Sequence, residues 1–280
     1  MGNLSRDFSG GCRVSASTWW GNNRPRPSAI GDILYTDSPD LRGVGCAGIF
    51  TRGTPEGGDM PERFLDRTEA GRELAAVLAP RYAGRGDVIV LGLPRGGVPV
   101  AYEIATALDA PLDVFIVRKL GLPGHEEFGI GAIASGGVRV VDDSVLRAYG
   151  IDAEMLDRIT GRERRELERR ERLYRDDRPF PIVRDRVVIL VDDGLATGST
   201  MRAAVAALRA EGPREIVIAV PVGARETCQG MAEQVDDLVC LMTPEPFYAV
   251  GLWYENFDQT GDAEVHDLVE RAATRTASRR

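Results

Sequence analysis

The chain has 280 residues, 43% of them hydrophobic, which suits one main domain with appendages and excludes a fibrous or wholly disordered protein. Its 35 basic and 43 acidic residues give a formal net charge of −8, which argues against general nucleic-acid binding but leaves room for a local basic site. Four cysteines without close spacing indicate neither a zinc site nor a disulfide framework, and no apolar run approaches the roughly 20 residues that span a bilayer. We therefore expect a cytoplasmic protein with no membrane segment and no signal peptide.

The N-terminal segment differs in composition from the rest of the chain. Residues 1–60 are rich in Gly, Ser, Pro and Asn and show neither helical nor strand periodicity, so we expect a flexible N-terminal extension. The folded domain is predicted to span residues 61–280. It begins with a helix after Pro61, whose apolar face includes Phe64 and Leu65.

Strands and helices alternate through the remainder of the chain. Apolar runs predict strands at 87–93, 112–120, 185–193, 214–222 and 236–242. Helical patterns follow three of these strands, at 96–108, 199–212 and 224–234. This alternation predicts an α/β fold, with a parallel sheet flanked by helices.

The two halves of this alternation are separated by a segment with a different sequence pattern. A short hairpin is expected around Ser135 to Gly137, followed by a very charged helix at about 152–176. Glu166 and Arg170 stand four apart in it, a spacing that supports an exposed helix. Its arginines could meet a polyanion, but acids interleave with them throughout, which favours a solvated surface.

Two adjacent acids, Asp192 and Asp193, end the strand "VVILV" and precede the loop "GLATGST". In an open parallel sheet, ligands lie beyond the carboxyl ends of the strands. The small residues and hydroxyls of the loop, with the N-terminus of the following helix, make a cradle for a phosphate. The spacing differs from a Walker P-loop, and the combination suits a sugar phosphate whose hydroxyls bind the acids.

The stretch "VVILVDDGLATGST" resembles the phosphoribosyl-pyrophosphate (PRPP) motif of type I phosphoribosyltransferases. The resemblance implies a Rossmann-like fold in which Asp192 and Asp193 hold the ribose hydroxyls. It also implies that the 5′-phosphate is bound by Ala196, Thr197, Gly198, Ser199 and Thr200. The rival interpretation is an α/β protein whose strand merely ends in two acids and a capping turn.

Two further segments carry the same resemblance. "LGLPRGGVPVA" is similar to the pyrophosphate loop of the family, with Arg95, Gly96 and Gly97 at the strand-to-helix turn. In "VRKLGLPGHEEFGIGAIASGG", Arg118 and Lys119 are expected at a strand end within reach of a pyrophosphate. The Gly and Pro residues after them could form the mobile lid that this family closes over its substrate. His125 in this segment is a candidate proton shuttle, although surface placement is favoured.

The C-terminal aromatic segment, about 240–262, would be the small hood that holds the acceptor in this family. It contains Phe247, Tyr248, Trp253, Tyr254 and Phe257. These rings could stack on a heterocycle or could pack the hood on the sheet, and the sequence does not separate the two.

By resemblance, the chain from Phe64 to about Val269 is similar to predicted bacterial phosphoribosyltransferases whose acceptor is unknown. The implied reaction, as in nucleotide salvage, transfers ribose 5-phosphate from PRPP to a nucleophile, with Asp192, Asp193, Arg95 and Lys119 as the catalytic residues. Mg²⁺ is expected mainly through PRPP oxygens, with Asp192 or Asp193 as possible ligands.

One position departs from some purine-salvage relatives, which carry an acid where this chain has Ala196. The adenine-using and several other relatives also have an apolar residue there, so the departure does not exclude activity, and a general base, if one is needed, must come from elsewhere. A homodimer is possible, because dimers are common in the family. Two other classes stay open: a non-catalytic regulator that senses PRPP or a nucleotide, and a nucleic-acid binder that uses the Arg-rich helix.

Overall fold

The computed structural model describes residues 63–278, so the predicted N-terminal extension lies outside the described residues. Its strands are β1 (Val88–Gly92), β2 (Leu112–Val114), β3 (Val117–Leu122), β4 (His125–Ala134), β5 (Val138–Val141), β6 (Val187–Val191), β7 (Glu215–Val222) and β8 (Asp237–Met242). Its α-helices are α1 (Arg67–Tyr82), α2 (Gly97–Leu108), α3 (Asp143–Ala148), α4 (Ala153–Arg175), α5 (Ser199–Glu211), α6 (Arg225–Ala232) and α7 (Asp262–Ala277).

The main sheet has five parallel strands in the order β2-β1-β6-β7-β8. Every residue of β1 and β6 is buried, as expected for apolar strands covered on both faces. Val88 and Val90 contribute to a core shared with α1 and α2, whereas Ile89 and Leu91 contribute to a second core shared with α5 and α6. The predicted α/β fold, with helices flanking a parallel sheet, is confirmed.

The prediction of one strand over 112–120 is wrong. The chain leaves the main sheet after β2, and β3 belongs to a separate antiparallel sheet in the order β3-β4-β5. Phe115 and Ile116, between the two strands, are buried in different cores. A continuous apolar run has the same appearance in sequence whether it crosses one core or two, so the break carries no local signal.

We call β3, β4 and β5 together with α3 and α4 the arm (residues 117–175). The predicted hairpin around Ser135 is confirmed, because β4 and β5 pair as antiparallel strands on either side of it. The charged helix is α4, capped by Asp152, whose Oδ1 accepts from the N–H of Met155 at 2.8 Å. The predicted pair is also present, with Arg170 Nε 2.8 Å from Glu166 Oε1.

The far end of α4 is buried rather than solvated. Arg175 is 3% exposed, and its Nε lies 2.9 Å from Asp113 Oδ1 on β2. Leu167 and Tyr174 contribute to a third core that also contains Val265 of α7. The arm is therefore fixed to the main sheet through the C-terminal end of α4.

The ends of the domain also differ from expectation. The first helix begins at Arg67, because Asp66 Oδ1 accepts from the N–H of Glu69 at 2.9 Å and caps it. Phe64 and Leu65 therefore precede the helix instead of lying on its face, and Leu65 is 54% exposed. At the other end, α7 was not predicted, and β8 takes the first residues of the predicted hood.

Candidate active site

Asp192 and Asp193 lie directly after β6, at the carboxyl edge of the main sheet. The N–H of Asp193 donates to Asp192 Oδ1 at 2.9 Å, so a hydrogen bond joins the two acids. Burial raises the pKa of Asp192 well above its usual range, and the neighbouring Asp193 carboxylate raises it further. Burial also raises the pKa of Asp193, although a nearby guanidinium opposes this effect.

That guanidinium belongs to Arg67, in the first turn of α1. Its Nε and Nη2 lie 2.9 and 2.8 Å from Asp193 Oδ2, and the two side chains are only 12% and 16% exposed. Arg67 Nη1 also donates to the carbonyl of Asp258 at 2.7 Å, and the guanidinium carbon lies 4.0 Å from the centre of the Phe257 ring. Arg67 thus partly neutralises the second acid, leaving Asp192 as the acid without this ion pair.

The C-terminal aromatic segment packs against the same acid. The hydroxyl of Tyr254 donates to the carbonyl of Asp193 at 2.6 Å, and burial raises the pKa of this tyrosine. Phe64 N donates to the carbonyl of Trp253, and its ring lies 5.6 Å from that of Tyr254. Tyr254 therefore has a packing role, whereas Tyr248 of the same segment is 79% exposed.

The loop between β1 and α2 lies directly on the acid pair. A Cβ atom added to Gly97 would lie 2.6 Å from the carbonyl oxygen of Val191 and 2.8 Å from Asp192 Cα. One added to Gly96 would lie 2.6 Å from Asp193 Cγ. Since real Cβ atoms do not approach this closely, only glycine allows this loop and the acids to share one edge. The structure therefore brings together two motifs about 95 residues apart in sequence.

Arg95 begins the same turn, and its side chain points toward the N-terminal end of α7. Its Nη1 lies 3.7 Å from Asp262 Oδ1, which also accepts from the hydroxyl of Tyr174 at 2.6 Å. The Arg95 side chain is 35% exposed, so a ligand at the loop can reach it without displacing a buried group.

The loop after the acids ends at the N-terminus of α5. Gly198 is the N-cap residue, with φ of +72°, and it has no side chain to accept from the first turn of the helix. Ala196, Thr197, Ser199 and Thr200 are all exposed here. A residue of α6 holds the loop in place, because Thr227 Oγ1 donates to the carbonyl of Ala196 at 2.7 Å. The exposed hydroxyls thus lie beside the N-terminus of α5, where the Ser199 N–H donates to Thr197 Oγ1 at 3.5 Å, and this arrangement suits a phosphate oxyanion.

The phosphoribosyl transferase domain model matches residues 63–243, nearly two thirds of the chain. The chain belongs to this family. Two Mycobacterium tuberculosis proteins, from strains CDC 1551 / Oshkosh and H37Rv, are each named "Putative phosphoribosyl transferase" and are 47% identical over 209 residues. The match covers 75% of this chain and 47% of each protein, so the chain spans about half the length of these curated relatives.

A comparison with solved structures gives a match that covers the other protein more fully. The crystal structure of TT1426 from Thermus thermophilus is 42% identical, with a TM-score of 0.67, and the match covers 75% of this chain and 98% of that one. This similarity supports the α/β fold described above.

Two residues expected at the phosphoribosyl transferase site lie on the arm instead of at a strand end of the main sheet. Arg118 and Lys119 are the second and third residues of β3, in the antiparallel hairpin. Arg118 Nη2 lies 2.6 Å from Glu163 Oε2 on α4, which directs the guanidinium toward the helix. Their contact with a pyrophosphate stays a prediction, as does closure of this hairpin as a lid. His125 is exposed near the hairpin tip, as surface placement predicts.

Among residues 63–278, no group of three or more His, Cys, Asp or Glu side chains could hold a metal ion. The donors that this phosphoribosyl transferase domain offers at the candidate site are the two carboxylates of Asp192 and Asp193, and Asp193 is already paired with Arg67. This set fits a Mg²⁺ ion that takes most of its oxygens from a substrate. Within the same residues, no helix is both long and apolar enough to cross a membrane.

Proposed function

We propose that this domain is a phosphoribosyltransferase that binds PRPP at the carboxyl edge of the main sheet and transfers ribose 5-phosphate to a nucleophilic acceptor. The observation that carries the proposal is the packing of Gly96 and Gly97 directly on Asp192 and Asp193. With the exposed N-terminus of α5 beside them, a phosphate cradle, an acid pair and an arginine-bearing loop share one edge. Family membership supports the same assignment.

The loop from Ala196 to Thr200 would bind the 5′-phosphate. Its exposed hydroxyls and the first-turn N–H groups of α5 would donate to the phosphate oxygens, and the helix dipole favours the negative charge. This contact fixes one end of the sugar, which orients the anomeric carbon toward the loop that contains Arg95.

The acid pair would bind the ribose diol in an unequal way. Asp193 Oδ2 already accepts two N–H groups from Arg67, so Asp192 is the principal acceptor for a ribose hydroxyl. Hydroxyl donors favour the ionised form of a carboxylate, so substrate binding would lower the raised pKa of Asp192. A carboxylate held there also opposes the positive charge that develops on the ribosyl ring.

The reaction would break the bond between C1 of the ribose and the pyrophosphate oxygen and form a bond from C1 to the acceptor, with inversion at C1. The pyrophosphate leaves with the electron pair of the broken bond, and Arg95 is placed to stabilise its charge. Mg²⁺, held mainly by PRPP oxygens with Asp192 as the available carboxylate, would supply further charge neutralisation when bound. Lys119 and Arg118 would contribute only if the hairpin bends toward this edge.

A nucleophilic acceptor that carries a proton must lose it to a base during the reaction. Ala196 occupies the position at which some relatives place an acid, and its methyl group cannot take a proton. We therefore propose that the acceptor either reacts without a protein base or brings its own, which favours acceptors that are nucleophilic at neutral pH.

The test is acceptor-dependent release of pyrophosphate. The protein is incubated with PRPP, Mg²⁺ and a panel of purine, pyrimidine and nicotinamide-like acceptors, with Asp192→Asn/Asp193→Asn as the control. Release that needs an acceptor and is lost in the variant supports the transferase. Binding of PRPP without release for any acceptor would favour the sensing regulator, and no PRPP binding would refute both.

A further inference from the structure

A cavity lies on the arm, apart from the carboxyl edge of the main sheet. It has a volume of about 590 Å³ and lies between β3 and the first half of α4. Its lining includes Arg118, Lys119, Arg158, Arg162 and Glu163. No residue of the loops at 94–97 and 192–200 lines it. A volume of several hundred cubic ångströms is typical of small-molecule sites.

The position of the cavity along α4 separates it from Arg95. The helix meets the Arg95–Asp262 pair through Tyr174, near its C-terminal end. Glu163 lies eleven residues earlier, which corresponds to about 16 Å of helix at 1.5 Å per residue. The cavity is therefore on a different part of the arm from the contact with the main site.

The charge of the cavity is opposite to that of the chain as a whole. Four basic side chains line it and Glu163 is the single acid among them, in a chain with a net charge of −8. Glu163 Oε2 accepts both Nε and Nη2 of Arg118, at 2.9 and 2.6 Å, and its Oε1 lies 3.7 Å from Arg162 Nε. One carboxylate is thus shared by two guanidinium groups, which leaves excess positive charge at the wall.

The ion pair of Arg158, which also lines this wall, is weak. Arg158 Nη1 lies 3.2 Å from Glu154 Oε1, but the two side chains are 65% and 82% exposed, so water screens the attraction. An anion of higher charge would displace Glu154 at little cost. The rest of the lining is apolar, with Val117, Pro123, Met155 and Ile159 beside the cations.

We propose that this cavity binds an organic phosphate of nucleotide size, with its phosphate groups on the arginines and its ring on the apolar side chains. Guanidinium groups bind phosphate oxygens through paired hydrogen bonds and stack on planar rings. The inference does not depend on the proposed transferase activity, because none of the residues that carry it contacts the acid pair.

The test uses ADP as the probe and the methyl group of Met155 as a local reporter. The chain has six methionines, and Met201 and Met231, buried in α5 and α6, serve as internal references in a spectrum of ¹³C-methyl-labelled protein. The Met155 signal is assigned with Met155→Leu. We expect the chemical shift of the Met155 methyl group to change with ADP concentration until it saturates. The signals of Met201 and Met231 should not change along the same binding curve.

A pair of matched variants separates the cavity from general surface charge. Arg158→Gln/Arg162→Gln removes two lining cations, and Arg164→Gln/Arg165→Gln removes two exposed cations of the same helix that do not line the cavity. We expect the first variant to weaken the ADP effect on Met155 at least tenfold and the second to change it less than twofold. Adenosine and inorganic pyrophosphate, titrated separately, show whether the ring or the phosphate dominates.

Three results would overturn the proposal: no shift of Met155 at millimolar ADP, equal weakening in both double variants, or loss of PRPP binding in Arg158→Gln/Arg162→Gln. The last result would make the cavity part of the PRPP site. Failure of the transferase proposal looks different, because it removes PRPP binding from the wild-type protein and leaves the ADP titration unchanged.

Discussion

The carboxyl edge of the main sheet and the arm both gather charged side chains, but they hold them in opposite ways. At the edge, Arg67 and Asp193 are 12% and 16% exposed and are fixed by backbone and aromatic contacts. On the arm, Arg158 and Arg162 are 65% and 78% exposed. A charge that is lost from a buried pair leaves its partner unsolvated, whereas water compensates the loss at an exposed pair. Changes at the edge should therefore alter stability, whereas changes at the exposed Arg158 and Arg162 should alter binding alone.

The largest effect on PRPP binding is expected where the two loops touch at the edge. Gly97→Ala would place a methyl group against the backbone of Val191 and Asp192, which must then move. Overpacking of this kind costs about 1–3 kcal/mol and would displace the pyrophosphate loop, so PRPP affinity should fall at least tenfold.

The matched control for that substitution is Gly86→Ala, because a Cβ atom at Gly86 meets no atom within 4 Å. Titration calorimetry and thermal unfolding of the two variants make the comparison. Equal behaviour of the two variants would contradict the close packing of the loop on the acids.

The next effect concerns the ion pair between α1 and the acid. Arg67→Gln leaves the Asp193 carboxylate buried without its guanidinium, which should cost about 3 kcal/mol and lower Tm by roughly 6–12 °C. The deficit should shrink as pH falls, because Asp193 can then bind a proton. Thermal unfolding between pH 4 and pH 8 measures both the loss of Tm and its dependence on pH.

Arg72→Gln is the control on the same helix, because its partner Glu103 is 3.1 Å away but Arg72 is 70% exposed. Its Tm should change by at most a few degrees. A loss as large as that of Arg67→Gln would mean that charge on α1, rather than burial at the acid, sets the effect.

A smaller effect on stability is expected at Asp192, where substitution should raise Tm instead of lowering it. Its folded pKa is raised by burial, so ionisation costs stability above the unfolded pKa of about 3.9, and the cost grows as pH rises toward neutrality. Asp192→Asn keeps an oxygen that can accept from the N–H of Asp193 and removes this cost. Its Tm should exceed the wild-type value by a few degrees at pH 7, and the difference should vanish near pH 4. A pH-independent difference would show that the charge of Asp192 is not responsible.

The smallest effect at the edge is that of one hydroxyl. Tyr254→Phe removes the donor to the carbonyl of Asp193 and should destabilise the fold by about 1 kcal/mol. Tyr248→Phe, at a residue that is 79% exposed, should have no measurable effect in the same denaturant titration. A Tyr254→Phe variant as stable as the wild type would mean that water replaces the hydroxyl without cost.

The sequence predicts the edge better than the arm for a physical reason. The acid pair, the Gly96–Gly97 turn and the loop at 196–200 each follow an apolar strand, and parallel strands bring their carboxyl ends together. Arg67 has no such signal, because its partner lies 126 residues away and its own surroundings show only a helix start. The positions of Arg118 and Lys119 depend on where an unbroken apolar run leaves the sheet, which is decided by the cores around Phe115 and Ile116.

The omission of α7 has a different cause, because a signal is present. Val265, Val269 and Ala272 are spaced four and three apart and are all buried, as on one face of a helix. The aromatic residues before them dominate the composition of the C-terminal segment. Helical spacing could therefore have identified this element, although not the pairing of Asp262 with Arg95.

Titration of PRPP with Mg²⁺ into the wild-type protein and Asp192→Asn/Asp193→Asn tests the central claim most directly. Thermal unfolding of the variant provides the check that it is folded. Micromolar binding that is lost in a folded variant is the predicted result, and it would establish one phosphoribosyl site at the carboxyl edge. Absence of binding at millimolar PRPP in the folded wild-type protein, or equal binding in the variant, would contradict the account.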